Sequence, residues 1–278
     1  MLKLGRWNNL QIIRFTDYGA YLDAGEFGEI LMPNAYVEKQ MREGDNVQVF
    51  VYLDQEERLV ATTETPKAQV GDFAYLKVAW TNKYGAFLDW GLMKDLFVPF
   101  REQKRTMMID NYYLVHIYID EDTHRIVGSA KVDKWLRPAP PSLYRGMPVD
   151  MIVQHKTPLG FKVIVENCYS GLIYDNQTYQ VPHTGDKLKG YIVNIRPDGK
   201  LDISIQPIGK SRFRDFSETL YEELEKCGGI LPYSDKSSSE AITERFKVSK
   251  KTFKKAIGNL YKTHKITIKE DRIELVNL

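Results

Sequence analysis

Two aromatic pairs, each built around a glycine, are the residues whose types and spacing most clearly suggest chemistry. Tyr18 and Tyr21 flank Gly19 in the hexapeptide Tyr-Gly-Ala-Tyr-Leu-Asp, and 66 residues later Tyr84 and Phe87 occupy the same places in Tyr-Gly-Ala-Phe-Leu-Asp. Exposed aromatic rings can stack on nucleic-acid bases for about 1–3 kcal/mol per base, with little demand on base identity. The same rings could instead fill the cores of small domains. We favour stacking for the second pair and core packing for the first.

A third, weaker copy of the hexapeptide indicates that the repeat continues. Residues 159–164 are Leu-Gly-Phe-Lys-Val-Ile, and Gly160 stands 75 residues after the glycine of the second copy. Apolar and polar residues alternate around the glycine in each copy, as they do in half-buried strands. The first copy is also predicted to carry a helical insert at residues 35–41. The strands, about five per copy, close most simply into a small OB-type barrel, which leaves no open sheet edge.

The apolar pattern changes after Pro207 from the period of a strand to that of a helix. Phe216, Leu220 and Leu224 recur on one helical face, and the pair Gly228–Gly229 ends that helix. Serine caps predict the starts of two further helices, one at Ser238 or Ser239 and the other at Ser249. A terminal hairpin is predicted after them, with strands at residues 266–269 and 272–276. Helix, helix, turn, helix and hairpin together predict a winged helix-turn-helix.

The sequence therefore predicts a mainly β protein with a C-terminal α+β domain. Three tandem OB-fold barrels are expected to precede the winged helix-turn-helix. Residues 131–143 are predicted to be a linker before the third barrel, and its proline-rich part, residues 137–141, is predicted to be extended and semi-rigid. The predicted domains are residues 1–64, 65–137, 138–210 and 211–278.

The repeated frame resembles the S1 RNA-binding domain of the OB class. Three such copies followed by a winged helix resemble the CvfB (conserved virulence factor B) family, and this resemblance covers essentially the whole chain. It implies a bacterial, cytoplasmic RNA-binding protein. It also implies an effect on gene expression after transcription, including virulence regulation.

The resemblance also implies which residues face the nucleic acid. In S1 domains these are the two aromatic residues, one residue on the following strand, and an Asp/Arg pair in the last hairpin. The matching positions are Tyr18, Tyr21, Met32, Asp54 and Arg58 in the first copy, Tyr84, Phe87, Val98, Asp120 and Arg125 in the second, and Leu159, Lys162, Tyr174, Arg196 and Lys200 in the third. The chain departs from the S1 pattern at the strand position, which is often His in S1 domains, and at both aromatic positions of the third copy.

Charge is unevenly distributed along the chain, although the formal net charge is only +2. Residues 1–64 contain 6 basic and 11 acidic residues, a net charge of −5, whereas the three later domains carry +2, +2 and +3. A polyanion should be held mainly by the later domains, so we expect that removing residues 1–64 leaves RNA affinity intact or raises it. The second domain adds candidate phosphate-binding cations near its aromatic pair, namely Lys83, Arg101, Lys104 and Arg105.

The winged helix contains a basic run, Arg245 to Lys265, without a single acidic residue. Within it, Lys250 and Lys254, and likewise Lys251 and Lys255, are like charges four residues apart that repel one another on a helix. Contact with a nucleic acid would relieve this repulsion, and a recognition helix is the expected place for such contact. We favour this interpretation over a solvated helix face.

Nothing in the sequence points to enzymatic chemistry, and we predict no enzyme, no cofactor and no metal. No P-loop, dinucleotide fingerprint or nucleophile elbow occurs. The five histidines are scattered, and Cys168 and Cys227 have no paired spacing for a disulfide or a zinc site. The densest acidic cluster, Asp120 to Asp122, lies in a predicted hairpin loop. No apolar stretch reaches about 18 residues, so we expect a cytoplasmic protein without membrane contact.

Single-stranded RNA is the partner that we predict from these features. Two alternatives stay open. The chain could be an adaptor that docks proteins of the ribosome or of the RNA-decay machinery through its acidic first barrel and its winged helix. It could also be a DNA-binding regulator that acts through the winged helix, because that fold serves several functions.

Overall fold

The computed structural model describes residues 2–174, 181–207 and 210–276. Among them, strands whose side chains alternate between core and solvent are the commonest regular element. The strands form three closed five-stranded barrels, and a small three-stranded sheet accompanies the C-terminal helices. The chain divides into two compact units, one ending at Leu136 and the other beginning at Arg137. The predicted fold class is confirmed.

The first barrel is closed in the strand order β1-β2-β3-β5-β4. Its strands β1 to β5 are Arg6–Thr16, Gly19–Asp23, Glu29–Pro33, Asn46–Leu53 and Leu59–Thr62. The helical insert predicted at residues 35–41 is wrong, since only a 3-10 turn, Asn34–Tyr36, forms there. This segment buries one ring, Tyr36, and is anchored by the Asn34 amide, which donates to the Asp17 carbonyl at 2.6 Å. Val37 and Met41 still pack against the core of the barrel, so their helical spacing is satisfied by a chain that is not α-helical.

The second barrel repeats the first and shares a core with it. Its strands β6 to β10 are Phe73–Thr81, Gly85–Asp89, Leu96–Pro99, Tyr112–Ile119 and Ile126–Ser129. Phe50 of the first barrel packs edge-on against Trp90 of the second, with ring centroids 5.9 Å apart, and belongs to the same buried cluster as Val115. Deleting residues 1–64 would therefore expose part of the core of the second barrel as well as remove negative charge.

The third barrel has the same strand order as the first. Its strands β11 to β15 are Pro148–Thr157, Gly160–Val165, Tyr169–Tyr174, Lys187–Ile195 and Leu201–Ser204. The second half of the predicted linker is hydrogen-bonded to this barrel. Arg137 donates its backbone N–H to the Cys168 carbonyl, and Ala139 donates to the Gly199 carbonyl, both at 2.9 Å.

Each barrel opens its second strand with the repeated glycine. Gly19 pairs with Pro33, Gly85 with Pro99 and Gly160 with Tyr174. A Cβ on any of these glycines would lie 2.0–2.3 Å from a carbonyl oxygen of the third strand of its barrel. The absence of a side chain thus allows the close approach of two strands, and the predicted equivalence of the three glycines is confirmed.

A β-bulge in the first strand of each barrel is a second shared feature. The pairing register shifts between Ile12 and Arg14, between Val78 and Trp80, and between Val153 and His155. The extra residue bends the strand and changes which side chain lies opposite the repeated hexapeptide.

The C-terminal domain has the element order of a winged helix. Its helices α1, α2 and α3 are Lys210–Lys226, Ser239–Phe246 and Lys250–Lys262, and its strands β16, β17 and β18 are Ile230–Leu231, Ile266–Ile268 and Ile273–Leu275. Ser238 and Ser249 cap α2 and α3 by accepting hydrogen bonds from Ala241 N–H and Thr252 N–H. The helices and the terminal hairpin agree with prediction, whereas the two-residue strand β16 was not predicted.

We predict that Gly160→Ala destabilises the third barrel by about 2–4 kcal/mol. Gly160 has a φ of +146°, which residues with a side chain rarely adopt. The new Cβ would also lie 2.0 Å from the Ile173 carbonyl oxygen. Hydrogen exchange of the strand amides of this barrel measures the change.

Gly258→Ala is the matched control. Apart from its chain neighbours and the backbone of its own helix, no heavy atom lies within 4 Å of a Cβ at Gly258, and alanine is favoured over glycine inside a helix by about 0.5–1 kcal/mol. Slower exchange in α3 is therefore expected for this variant. Equal protection of the third barrel in Gly160→Ala and in the wild type would contradict the role given to the glycine.

Acid should destabilise the first unit through His116. Burial lowers the pKa of this imidazole from 6.5 to about 4, and the ring lies between Phe73 and Trp135 at 4.6 and 4.5 Å. Between these two pKa values the unfolded chain binds the proton and the folded chain does not. Stability is therefore full above pH 6.5 and falls by about 3 kcal/mol as the pH drops toward 4.

Urea unfolding at pH 7, 6 and 5, followed by tryptophan fluorescence, measures this loss. All four tryptophans precede residue 137, so the signal reports on the first unit. His116→Phe keeps a ring at this position and cannot take the proton, so its pH dependence should be flatter. His124→Asn, which removes an exposed histidine, should retain the slope, and equal slopes for His116→Phe and the wild type would refute the assignment.

Candidate nucleic-acid interface

Three aromatic rings form a strip across neighbouring strands of the second barrel. Trp80 on β6 pairs with Phe87 on β7, and Phe87 pairs with Phe97 on β8. The Trp80 and Phe87 rings are stacked, with centroids 3.7 Å apart and planes within 3°, and Phe97 follows at 4.9 Å. Trp80 is 45% exposed, and its Nε1 donates to the Asp95 carboxylate at 2.9 Å. The strip thus ends in a fixed indole that is open to solvent.

Tyr84 adds a fourth ring close to the strip. It precedes β7, is 62% exposed, and is positioned by its backbone N–H, which donates to the Asn82 side chain at 2.8 Å. The Lys83 amine lies 5.1 Å from the centre of its ring. An exposed ring beside a cation is suited to stacking a base while a phosphate is held nearby.

The bulge explains why sequence reasoning did not select Trp80. An uninterrupted register would place Ala79 opposite Phe87, whereas the shift between Val78 and Trp80 places the indole there. A usable signal was present, because Trp80 and Asp95 lie 66 residues after Arg14 and Glu29.

The resemblance to S1 domains implied that Met32 and Val98, on the third strands of their barrels, face the nucleic acid, and this prediction is wrong. Both side chains are fully buried in their barrels. In the second barrel the residue before Val98, Phe97, faces outward and belongs to the aromatic strip. Because side chains alternate along a strand, an error of one residue moves a position from the outer face to the core.

In the first barrel a cation replaces the indole. Arg14 pairs with Tyr21, and its guanidinium lies 4.0 Å from the centre of that ring. Arg14 also forms an ion pair with Glu29 at 2.7 Å, which raises its pKa further. Tyr18 is 76% exposed. The predicted pair therefore divides into a free ring, Tyr18, and a ring that Arg14 covers, and neither is a core residue.

The third barrel replaces the strip with polar and aliphatic side chains. His155 pairs with Lys162, and Lys162 pairs with Leu172. Leu159, at the position of Tyr84, is 65% exposed. Tyr174 is half-buried and accepts a hydrogen bond from Arg196 at 3.0 Å. This face can contact a phosphate through Lys162, but it offers no row of stacked rings.

Most of the predicted hairpin and loop cations already have carboxylate partners. These ion pairs are Arg58–Asp54, Arg101–Asp120, Lys104–Asp133, Arg125–Glu57, Arg196–Asp202 and Lys200–Asp198. Arg105 instead lies 5.8 Å from the centre of the Tyr113 ring. Three of these pairs, Lys104–Asp133, Arg125–Glu57 and Lys200–Asp198, are about half-exposed at both ends, and exposed ion pairs contribute only about 0–1 kcal/mol. A phosphate can therefore take the place of a carboxylate, but these cations offer less free charge than their number suggests.

Two hairpin aspartates are structural anchors. Burial alone would raise the pKa of Asp120, but hydrogen bonds from Thr123 and the charge of Arg101 outweigh it and lower that pKa. The pKa of Asp54 is likewise lowered against the effect of burial by bonds from Arg58. In residues 2–174, 181–207 and 210–276 no group of three or more His, Cys, Asp or Glu could hold a metal ion.

The outer face of α3 carries the predicted lysines. Phe253, Ala256 and Leu260 face the core, while Lys251, Lys254 and Lys255 are exposed and Lys250 is half-buried. The Lys254 Nζ lies 3.8 Å from the Asp235 carboxylate.

The described part of the chain contains no helix long and apolar enough to span a membrane.

A cavity of about 400 Å³ opens where the first two barrels meet. The second barrel contributes Tyr84, Phe87, Phe97 and Trp90, and the first contributes the end of β4 and the loop that follows it. Lys94 closes one side by donating to the Asp54 carbonyl at 2.6 Å, and burial lowers the pKa of its amine. The strip and the cavity therefore share residues.

Three domain-family models match the chain. The S1 domain model matches residues 4–64. The model for the second domain of virulence regulatory factor CvfB matches residues 147–207, and the CvfB-like winged helix domain model matches residues 218–275.

Bacterial relatives match over most of their length. Conserved virulence factor B of Staphylococcus aureus USA300 is 27% identical over 268 residues, which are 92% of this chain and 88% of that protein. YitL of Bacillus subtilis 168, named as an uncharacterized protein, is 27% identical over 282 residues, which are 95% of this chain and 91% of that protein. A crystal structure of a multidomain protein with nucleic acid binding domains from Streptococcus pneumoniae TIGR4 is 24% identical and covers 98% of each chain, with a TM-score of 0.43.

Proposed function

The chain belongs to the CvfB family, and from that premise we propose that it is a non-enzymatic bacterial protein that binds single-stranded RNA in the cytoplasm. Binding regulates gene expression after transcription. The observation that carries the proposal is the aromatic strip Trp80–Phe87–Phe97 with Tyr84 beside it. Single-stranded nucleic acid is the ligand that a row of exposed rings fits, because its bases are free to stack.

The stacking surface differs in one respect from that expected from sequence. One face of Phe87 is covered by Trp80, so Phe87 supports the strip and lines the cavity, while Trp80 and Tyr84 present open ring surface to bases. Lys83 is placed to contact the adjoining phosphate. Stacking in this barrel supplies the part of the affinity that depends little on salt.

The winged helix supplies the part that depends on salt. Lys250, Lys251, Lys254 and Lys255 lie in the first two turns of α3, and each phosphate contact on a single strand steepens the salt dependence by about 0.7 in the log–log slope. Tyr18 and Arg58 of the first barrel, and Lys162, Arg196 and Lys200 of the third, are secondary contacts.

Duplex DNA is a second candidate ligand because of the shape of α3. Its exposed lysines share one helix face with Gly258, where a Cβ would meet no heavy atom beyond its chain neighbours and the backbone of its own helix. Such a face can enter a groove or approach a backbone closely. Competition between unlabelled duplex DNA and single-stranded RNA for the chain separates the two candidates.

The two contributions should respond differently to mutation. Trp80→Ala with Tyr84→Ala should weaken RNA binding by about 2–6 kcal/mol and leave the salt slope nearly unchanged. Replacing Lys250, Lys251, Lys254 and Lys255 with Ala should weaken binding and flatten the slope by up to about 3. Fluorescence anisotropy with a labelled oligoribonucleotide, titrated from low to high salt, measures both quantities.

Matched controls are available in both domains. Tyr75 and Tyr112 are an exposed tyrosine pair on β6 and β9 of the same barrel, and their replacement with Ala should change affinity little. Lys236→Ala with Lys269→Ala removes two lysines from the winged helix outside α3. If the tyrosine control weakens binding as much as the Trp80 and Tyr84 variant does, the strip is not the stacking surface.

A further inference from the structure

The cavity between the first two barrels has the size and walls of a small-ligand site. Its volume of about 400 Å³ lies within the range of roughly 300–1,000 Å³ usual for such sites. Aromatic and aliphatic side chains form most of its wall, among them Phe87, Trp90 and Phe97 from one barrel and Tyr52 and Leu53 from the other. A flat apolar ring can therefore enter and lose its contact with water.

Two opposite charges from different barrels meet in the lining of this cavity. The Arg125 guanidinium of the second barrel forms an ion pair with the Glu57 carboxylate of the first, and both side chains are about half-exposed, at 50% and 46%. An exposed ion pair of this kind is weak, so a ligand that satisfies both groups can separate them at little cost. Glu57 itself has a φ of +65°, a conformation that a glycine would adopt more easily.

The cavity is continuous with the aromatic strip. Phe87 and Phe97 belong to both, and Tyr84 lies in the cavity wall as well as on the surface. A strand whose bases stack on Trp80 and Tyr84 can therefore turn one neighbouring base into the cavity without leaving the barrel.

We propose that this cavity receives one guanine base of the bound RNA strand. The assignment rests on the proposed RNA-binding function and goes beyond it by naming a base and by giving the acidic first barrel a role. Guanine carries two adjacent donors, N1–H and N2–H, which a carboxylate such as Glu57 can accept. It also carries two acceptors, O6 and N7, which suit an arginine such as Arg125.

Other bases match this arrangement less well. Adenine presents the acceptor N1 where guanine presents a donor, so it would face the Glu57 carboxylate with a lone pair. Cytosine offers a single amino group to a carboxylate, and uracil offers a single N–H. A base that leaves either charged group without a complementary partner loses that contact, and this loss is the basis of the preference.

The test compares heptamers that differ at one position. Full-length protein is titrated with labelled oligouridylate that carries guanosine, adenosine or uridine at its centre. The guanosine heptamer should bind about tenfold more tightly than the others, since guanine alone can make bidentate contacts with both charged groups. Glu57→Gln should remove most of this preference while the uridine heptamer binds as before.

Glu56→Gln is the matched control. Glu56 lies in the same loop, is 71% exposed, and pairs with Arg58 at 2.9 Å, so its change should leave the preference intact. Leu53→Trp, which fills the cavity from the first barrel, should lower the affinity for the guanosine heptamer to that for the uridine one. Guanosine monophosphate is a separate arm and should displace the heptamer only at far higher concentration, because it lacks the stacked neighbours.

The outcomes separate the base assignment from the general function. Equal affinity for the three heptamers, or equal loss of preference in Glu56→Gln and Glu57→Gln, would overturn the guanine assignment and leave RNA binding standing. Binding of none of the heptamers would overturn both. Tight binding of guanosine monophosphate without any preference among the heptamers would show that the cavity serves a free nucleotide, which also overturns the proposal.

Discussion

The close contact between the second and third strands of each barrel determines where the functional side chains point. Gly19, Gly85 and Gly160 let a carbonyl oxygen occupy the space of a Cβ, and this contact fixes the strand register. The next residue is then buried and the one after it faces outward, as Ala86 and Phe87 do. A larger residue at the glycine would separate the strands and disturb that register. The nucleic-acid face therefore depends on a glycine that touches no ligand.

The same frame carries three different outer surfaces. At equivalent positions the barrels present Arg14 with Tyr21, Trp80 with Phe87, and His155 with Lys162. Only the barrel with Trp80 also carries a third ring, Phe97, at the next position of the strip. A repeat that keeps its core and varies its outer face can divide stacking, charge and partner contact among its copies. The acidic first barrel fits this division if its role is to complete the cavity rather than to hold phosphates.

Much of the fold followed from the sequence because the signals are local. The repeated glycine, the alternation of apolar residues and the serine caps at Ser238 and Ser249 each act within a few residues, and the structure agrees with all three. The features that sequence missed arise from pairing. The bulge that brings Trp80 opposite Phe87 depends on two strands, and the contact between Glu57 and Arg125 joins different barrels. The error at Val98 is a register error of one residue. Charge counting also overstated the free cations, because it does not show that Arg101 and Arg196 have carboxylate partners.

Photocrosslinking tests the central claim, that the aromatic strip of the second barrel is the stacking surface. A single-stranded oligoribonucleotide carrying 4-thiouridine would be crosslinked to the full-length protein, and the modified peptides would be identified by mass spectrometry. The most heavily modified peptides should contain Trp80 or Tyr84, and their modification should fall when unlabelled single-stranded RNA competes. Crosslinks confined to the third barrel and the winged helix, with the peptides around Trp80 and Tyr84 unmodified, would contradict it.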